Sequence, residues 1–211
     1  MADAPPPPPA YPGVTQTEEP LDVPPMGPRP GDEAHDGFML RLTIGFGPGG
    51  MTFKASSQEE EYSGFAGTFS LDIGGAPSDN LVIHGRLADF VIVDPSVTVD
   101  GMDLGTAEDT TMALLLIAPA VTYYFMPVNI YLTAAVGPSW FQVSVSGRDS
   151  ESSKAGIGFN FDVGKEWWVG TQWGLGIAAR FWYSHIAEDS SLGDVDVNFL
   201  AGGVLFSATY Q

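Results

Sequence analysis

The chain has 211 residues, with 8 Lys+Arg against 26 Asp+Glu and a formal net charge of -18. Such acidity ordinarily marks a solvated or disordered chain, yet 44% of the residues are hydrophobic and only 16% are charged. So few bases argue against a phosphate-tracking nucleic-acid site, and zero cysteines exclude a disulfide framework, thiolate metal sites and thiol catalysis.

Met1 leads directly into Ala2-Asp3 with no basic stretch and apolar run behind it, so no signal peptide is read. The start reads instead as a mature form behind an initiator Met. Eleven of the 17 prolines lie within the first 30 residues, including Pro5 to Pro9. A proline run favours extended polyproline II and cannot join a sheet interior, so residues 1–36 read as an acidic, disordered tail that includes His35. No apolar run reaches the roughly 20 residues of a spanning helix.

From residue 37 to 211 the signal is period-2 alternation, the spacing at which side chains share one face of a strand. Phe38, Leu40, Leu42, Ile44 and Phe46 oppose Met39, Arg41 and Thr43. Phe65, Phe69, Leu71 and Ile73 oppose Ala66, Thr68, Ser70 and Asp72. Leu81, Ile83 and Leu87 oppose His84, Arg86 and Ala88. A fourth strand over about 111–125 is apolar on both sides, leaving its face open. Ile130, Leu132, Val136 and Trp140 then oppose Tyr131, Thr133 and Ser139, and Ile157, Phe159, Phe161 and Val163 oppose Asn160 and Asp162. In the seventh, Trp173, Leu175, Ile177, Phe181 and Tyr183 alternate with Ala178, Arg180 and Trp182. The eighth shows Leu200, Val204, Phe206 and Tyr210 on its apolar face.

Connections of about 11 to 19 residues follow the odd strands (48–63, 92–110, 145–155, 184–196), and tight links follow the even ones. This predicts an all-β, eight-stranded, antiparallel, up-and-down transmembrane β-barrel with the short turns at one end. A soluble lipocalin-like barrel would fill its polar face with surface charges. Here that face is mainly Gly, Ala, Ser and Thr, which suits a narrow lumen, so the aliphatic and aromatic face meets lipid. Tyr123, Tyr124, Phe125, Tyr131, Trp167, Trp168, Trp173 and Tyr210 at the short-turn ends, with Trp140, Trp182, Tyr183 and Phe90 toward the long-loop ends, read as membrane-interface girdles.

The segments Pro119-Ala-Val-Thr-Tyr-Tyr-Phe-Met-Pro127, Gly164-Lys-Glu-Trp-Trp-Val169 with Trp173-Gly-Leu-Gly176, and Phe206-Ser-Ala-Thr-Tyr210 resemble small outer-membrane β-barrels of Gram-negative bacteria, of the OmpA/OmpX/OmpW type. The phrases look closest to uncharacterised barrels of the myxobacterial kind. The resemblance implies a monomer in the bacterial outer membrane, with both termini periplasmic and long loops extracellular. Implied partners are outer-membrane lipid, lipopolysaccharide and the barrel-assembly machinery. That machinery reads a terminal aromatic residue in such proteins; here Tyr210 is followed by Gln211.

Seven ionisable residues share the small-polar face: Arg41, Asp72, His84, Arg86, Asp162, Glu166 and Arg180. Confined charges are costly alone, so a closed lumen threaded by an Arg–carboxylate network is expected, with a narrow pore for ions or small hydrophobic solutes as the alternative. The tail nets -6, the second long connection -5 and the fourth -4, without calcium-hand spacing, so no metal site is read. Ser184 and His185 are adjacent and point to opposite faces of a strand, a poor nucleophile–base pair. The expectation is a protein that is not an enzyme, has no cofactor, and acts structurally or through its acidic loops.

Overall fold

The computed structural model describes Asp3, His35 and residues 37–55, 58–190 and 193–211, the side chains of 188–190 and 193–194 excepted. The expected disordered tail otherwise lies outside these residues. Among the described residues, eleven strands form one antiparallel sheet: β1 (Gly37–Ala55), β2 (Gln58–Ser78), β3 (Leu81–Val93), β4 (Ser96–Val99), β5 (Met102–Thr106), β6 (Thr110–Phe125), β7 (Ile130–Val145), β8 (Glu151–Ser152), β9 (Gly156–Trp168), β10 (Trp173–Ser190) and β11 (Gly193–Tyr210). Setting aside β4, β5 and β8, the remaining strands follow one another around a ring, and β1 closes it by pairing with both β2 and β11. The chain thus folds as a closed eight-stranded barrel.

Alternation builds the wall. On β1, Phe38, Leu42, Ile44 and Phe46 are exposed, whereas Met39, Arg41 and Thr43 between them are buried. Every other wall strand repeats the division, so large apolar side chains ring the outside, with Ile44 62% and Phe65 68% exposed. The ladder skips between Phe46↔Val204 and Gly49↔Ala201, and between Leu116↔Ser139 and Ala120↔Ala135, without change of register. Pro48, Pro119 and Pro138 fall in these gaps and have no N–H to donate. At the first gap the strands approach so closely that a Cβ on Gly47 would lie 2.0 Å from the Gly202 carbonyl oxygen.

Three of the expected long loops are largely strand. β1 runs to Ala55, which pairs with Gln58 of β2; β10 runs to Ser190, which pairs with Gly193 of β11; and β4–β5 is a hairpin added to β2. Past the apolar belt the outward face becomes polar while the inward face keeps Met51, Phe53 and Tyr62, and backbone pairing continues. Thr52, Lys54, Glu59 and Glu61 show this, with an exposed Lys54–Glu59 pair at 2.9 Å that stabilises by no more than about 1 kcal/mol.

The interior has two halves. The half at the short turns is polar, as expected. The half toward the long hairpins is an apolar core instead, containing Met51, Phe90, Ile92, Met112, Leu114, Leu116, Trp182 and Phe199. Phe90, Trp182 and Phe199 pack edge-on with ring centroids 5.2–6.3 Å apart. The expectation of a small-residue lumen therefore fails for this half, because β6 is apolar on both faces and supplies Met112, Leu114 and Leu116 inward.

Five expected girdle aromatics also lie elsewhere: Phe90 is buried in the apolar core and Tyr124 in the polar half, and three more turn inward. Trp182 is fully buried in the apolar core. Tyr131 is buried in the polar half over Arg41, and Trp168 turns toward the barrel floor, 5.2 Å from the His35 ring. Each has the parity of an inward neighbour (Arg180, Thr133 and Glu166). Tyr123, Trp167 and Trp173 are exposed on the wall, Tyr210 packs on Trp173 at 5.4 Å, and Trp140 and Tyr183 share the outward parity.

Candidate functional site in the barrel lumen

All seven ionisable residues expected inside are buried there, none more than 5% exposed. Arg86, on β3, is the centre. It grips Asp72 of β2 with two parallel bonds, Nε to Oδ1 at 2.7 Å and Nη2 to Oδ2 at 2.8 Å, and reaches across the lumen to Asp162 Oδ2 of β9 at 2.8 Å. Arg180 of β10 meets the same Asp162 with its own pair of bonds at 2.8 and 3.0 Å. Its remaining donors reach Ser70 Oγ at 3.0 Å and Thr68 Oγ1 at 3.3 Å. Asp162 is thereby shared between two guanidinium groups, an arrangement that satisfies the planar fork of each.

A second group lies nearer the short turns. Arg41 Nη2 is 2.9 Å from Glu166 Oε1, its Nε donates to Thr209 Oγ1 at 3.1 Å, and its guanidinium also hydrogen-bonds the Tyr124 hydroxyl. Thr209 passes a hydrogen bond to Glu166 Oε1 at 2.6 Å. The Arg41 guanidinium carbon sits 4.4 Å from the Tyr131 ring centroid, a cation–π contact in a dry setting. His84 stands apart from the ion pairs: Nε2 bonds Thr122 Oγ1 at 2.9 Å, while Nδ1 is 3.7 Å from Asp72 Oδ1 with no hydrogen-bond partner.

Three guanidinium groups face three carboxylates, so with His84 neutral the layer carries no net charge. Its bonds join β1, β2, β3, β9, β10 and β11 across the lumen. Sequence parity locates the charges but not their neutral partners: Asn160, Ser70, Thr68 and Thr209 look like ordinary lumen lining until the register is known, and Tyr124 reads as a girdle aromatic.

At the floor, His35 is 1% exposed. His35 itself packs against the barrel. Its ring stacks on Tyr124 with centroids 3.3 Å apart, Nε2 lies 2.7 Å from Asn129 Oδ1, and Nδ1 hydrogen-bonds Gln211 Oε1. No periodicity or motif marks His35 in the sequence. At the opposite rim, Ser184 Oγ turns inward and accepts from Trp182 Nε1 at 3.1 Å, while His185 turns outward to Asn198 Oδ1 at 3.1 Å, so this Ser and His do not meet.

No protein-family model matches the chain, and no curated protein is recognisably related to it. Solved structures are similar at low identity. Neisserial surface protein A shares 19% identity and a TM-score of 0.47, over 82% of this chain and 97% of that one. The outer membrane protein OprG from Pseudomonas aeruginosa shares 14% and 0.49, over 84% and 98%. The outer membrane protease OmpT from Escherichia coli shares 7% and 0.47, over 84% and 98%. The last corrects one expectation: with a protease among the similar barrels, the reading that this chain is not an enzyme is withdrawn. The myxobacterial likeness finds no support among them.

Proposed function

We propose that the protein is an integral barrel of the bacterial outer membrane whose lumen is sealed, and that it meets other molecules through the acidic hairpins beyond the membrane. The belt supports the location. On β1 the outward residues are apolar from Phe38 to Pro48, and ten residues at about 3.3 Å each, tilted by about 40°, project to about 25 Å, the height of such a belt. A continuous apolar ring of this size is unsuited to water. The short-turn end with its floor faces the periplasm, the hairpins β1–β2, β4–β5 and β10–β11 face outward, and the wall contacts lipid and lipopolysaccharide.

The observation that carries the sealed lumen is its filling: a neutral layer of paired charges in one half and a packed apolar core in the other. A narrow pore needs a hydrated path, and an eight-stranded interior is just wide enough for side chains to fill. The test is planar-bilayer recording with the refolded full chain. The expected outcome is no steady single-channel conductance above the lipid background, and reproducible current steps would sink the sealed reading.

A further inference from the structure

The outer wall is not an unbroken cylinder. Where the belt ends on β1, a notch of about 580 Å³ is cut into it, within the size range of about 300–1,000 Å³ usual for small-molecule sites. Its lining changes character along the strands. Pro48, Leu200 and Gly202 continue the apolar wall, whereas Thr52, Ser63 and Asn198, nearer the hairpins, bring hydroxyl and amide groups. From Pro48 to Lys54, six residues at about 3.3 Å each cover about 20 Å along β1, so the notch crosses from the hydrocarbon into the headgroup zone. The fold does not demand the emptiness at Gly202, which shares the outward parity of the exposed Leu200 and Val204. Its φ is not left-handed, and a Cβ there would meet nothing nearer than the Arg180 carbonyl oxygen at 3.6 Å, an ordinary contact. What a side chain at this position would take is the space of the notch.

We infer that the notch seats one lipid of the surrounding leaflet that carries a sugar headgroup, with an acyl chain over Pro48, Leu200 and Gly202 and sugar hydroxyls against Asn198, Thr52 and Ser63. The inference rests on the membrane reading of the belt and adds a selected partner to it. An occupant must be apolar at one end and hydrogen-bonding at the other, and the belt below the notch already meets molecules of that kind. The polar end is equipped for hydroxyls and not for phosphate. Asn198 Oδ1 accepts from the Tyr183 hydroxyl at 3.0 Å and from His185 Nδ1–H at 3.1 Å, which fixes the amide and leaves its NH2 to donate. Sugar hydroxyls donate and accept alike, which suits one amide and two hydroxyl groups. Lys54, the cation in the lining, is taken by Glu59 at 2.9 Å. Glu61 also lines the notch and Asp196 stands opposite Lys54 in the ladder, so the local field repels an anionic headgroup.

The test is amide NMR of the full chain refolded in micelles, titrated with a galactosyl diacylglycerol and, separately, with a phosphatidylglycerol of the same acyl chains. The galactolipid should shift the Gly50, Asn198 and Gly202 amides along a saturating curve, while Ala134 and Val136 on the far wall hold still. The phosphatidylglycerol should give only an unsaturated drift. Gly202→Leu, which adds one more outward leucine to the wall, should weaken galactolipid binding about tenfold or more by filling the notch. Asn198→Ala should weaken it about threefold or more and leave the phosphatidylglycerol response unchanged. Far-wall amides at their usual positions in both variants show that the barrel is intact. Shifts spread evenly round the belt, equal binding of the two lipids, undiminished binding by either variant, or notch shifts that follow protein concentration and so mark a second copy would each overturn the lipid seat while the barrel remains in its micelle. A chain that dissolves without detergent would overturn the membrane reading and the seat together.

Discussion

At the residue scale, Asp162 has the most to lose. It is 2% exposed and shared by Arg86 and Arg180, so its removal strands two buried guanidinium groups at once. Breaking a buried pair from one side costs about 3–5 kcal/mol. Asp162→Ala should lose at least that much in denaturant unfolding of the refolded barrel, and a cycle with Arg180→Met should show coupling of about 1 kcal/mol or more between the two positions. Additive losses would mean that the pairing contributes nothing beyond packing. The inward position of Asp162 is legible in the sequence, because Asn160, Asp162 and Gly164 alternate with Phe159, Phe161 and Val163. Its two partners are not, because Arg180 faces Asp162 only through the register of β10 on β9, and Arg86 reaches it across the lumen from β3.

At the element scale, the strand ends explain where sequence reading goes astray. Trp168 and Tyr131 sit at the ends of β9 and β7, and Trp182 falls where the outward alternation of β10 fades although the strand runs on to Ser190; only their parity with Glu166, Thr133 and Arg180 separates the three from Trp173 and Tyr123. Parity prevails because successive strand residues face opposite sides whatever their chemistry. Trp182→Ala should therefore destabilise by about 3–5 kcal/mol, the cost of emptying a packed core site. Trp173→Ala, on the outer wall, should cost clearly less, and the reverse order in unfolding experiments would return Trp182 to the interface. The stretches read as loops fail for a different reason: the hydrophobic code stops at the edge of the belt, but hydrogen bonding does not. Amides of Thr52, Phe53, Glu60 and Tyr62, paired across β1–β2, should exchange slowly in hydrogen-exchange experiments although they lie beyond the lipid. Exchange at free-loop rates would contradict the ladder.

At the scale of the whole molecule, apolar surface and negative charge are segregated. Within the belt the wall strands carry a balanced set of charges inside and few outside, Asp89 being an outward acid there, its Oδ1 accepting from Phe69 N–H at 2.8 Å, whereas Lys54, Glu59, Glu61 and Asp196 stand beyond it. The acids Asp94, Asp100, Asp103, Glu108 and Asp109 stand instead along the β4–β5 connection. The charge of -18 thus describes the water-exposed parts, and association through that connection should weaken with added salt, as exposed charges are screened within about 8 Å at physiological ionic strength. An affinity indifferent to salt would locate recognition elsewhere.

The two-part interior has a consequence for bioenergetics. Imidazole, carboxylate and hydroxyl groups in the lower half, such as His84, Thr122 and Thr133, are the kind of chain along which a proton can hop. Such hopping needs an unbroken file of polar groups or waters from face to face, and Phe90, Trp182, Phe199 and Leu114 interrupt it with a stretch that offers neither. Vesicles loaded with a pH-sensitive dye and studded with this barrel should hold a pH gradient as long as empty ones.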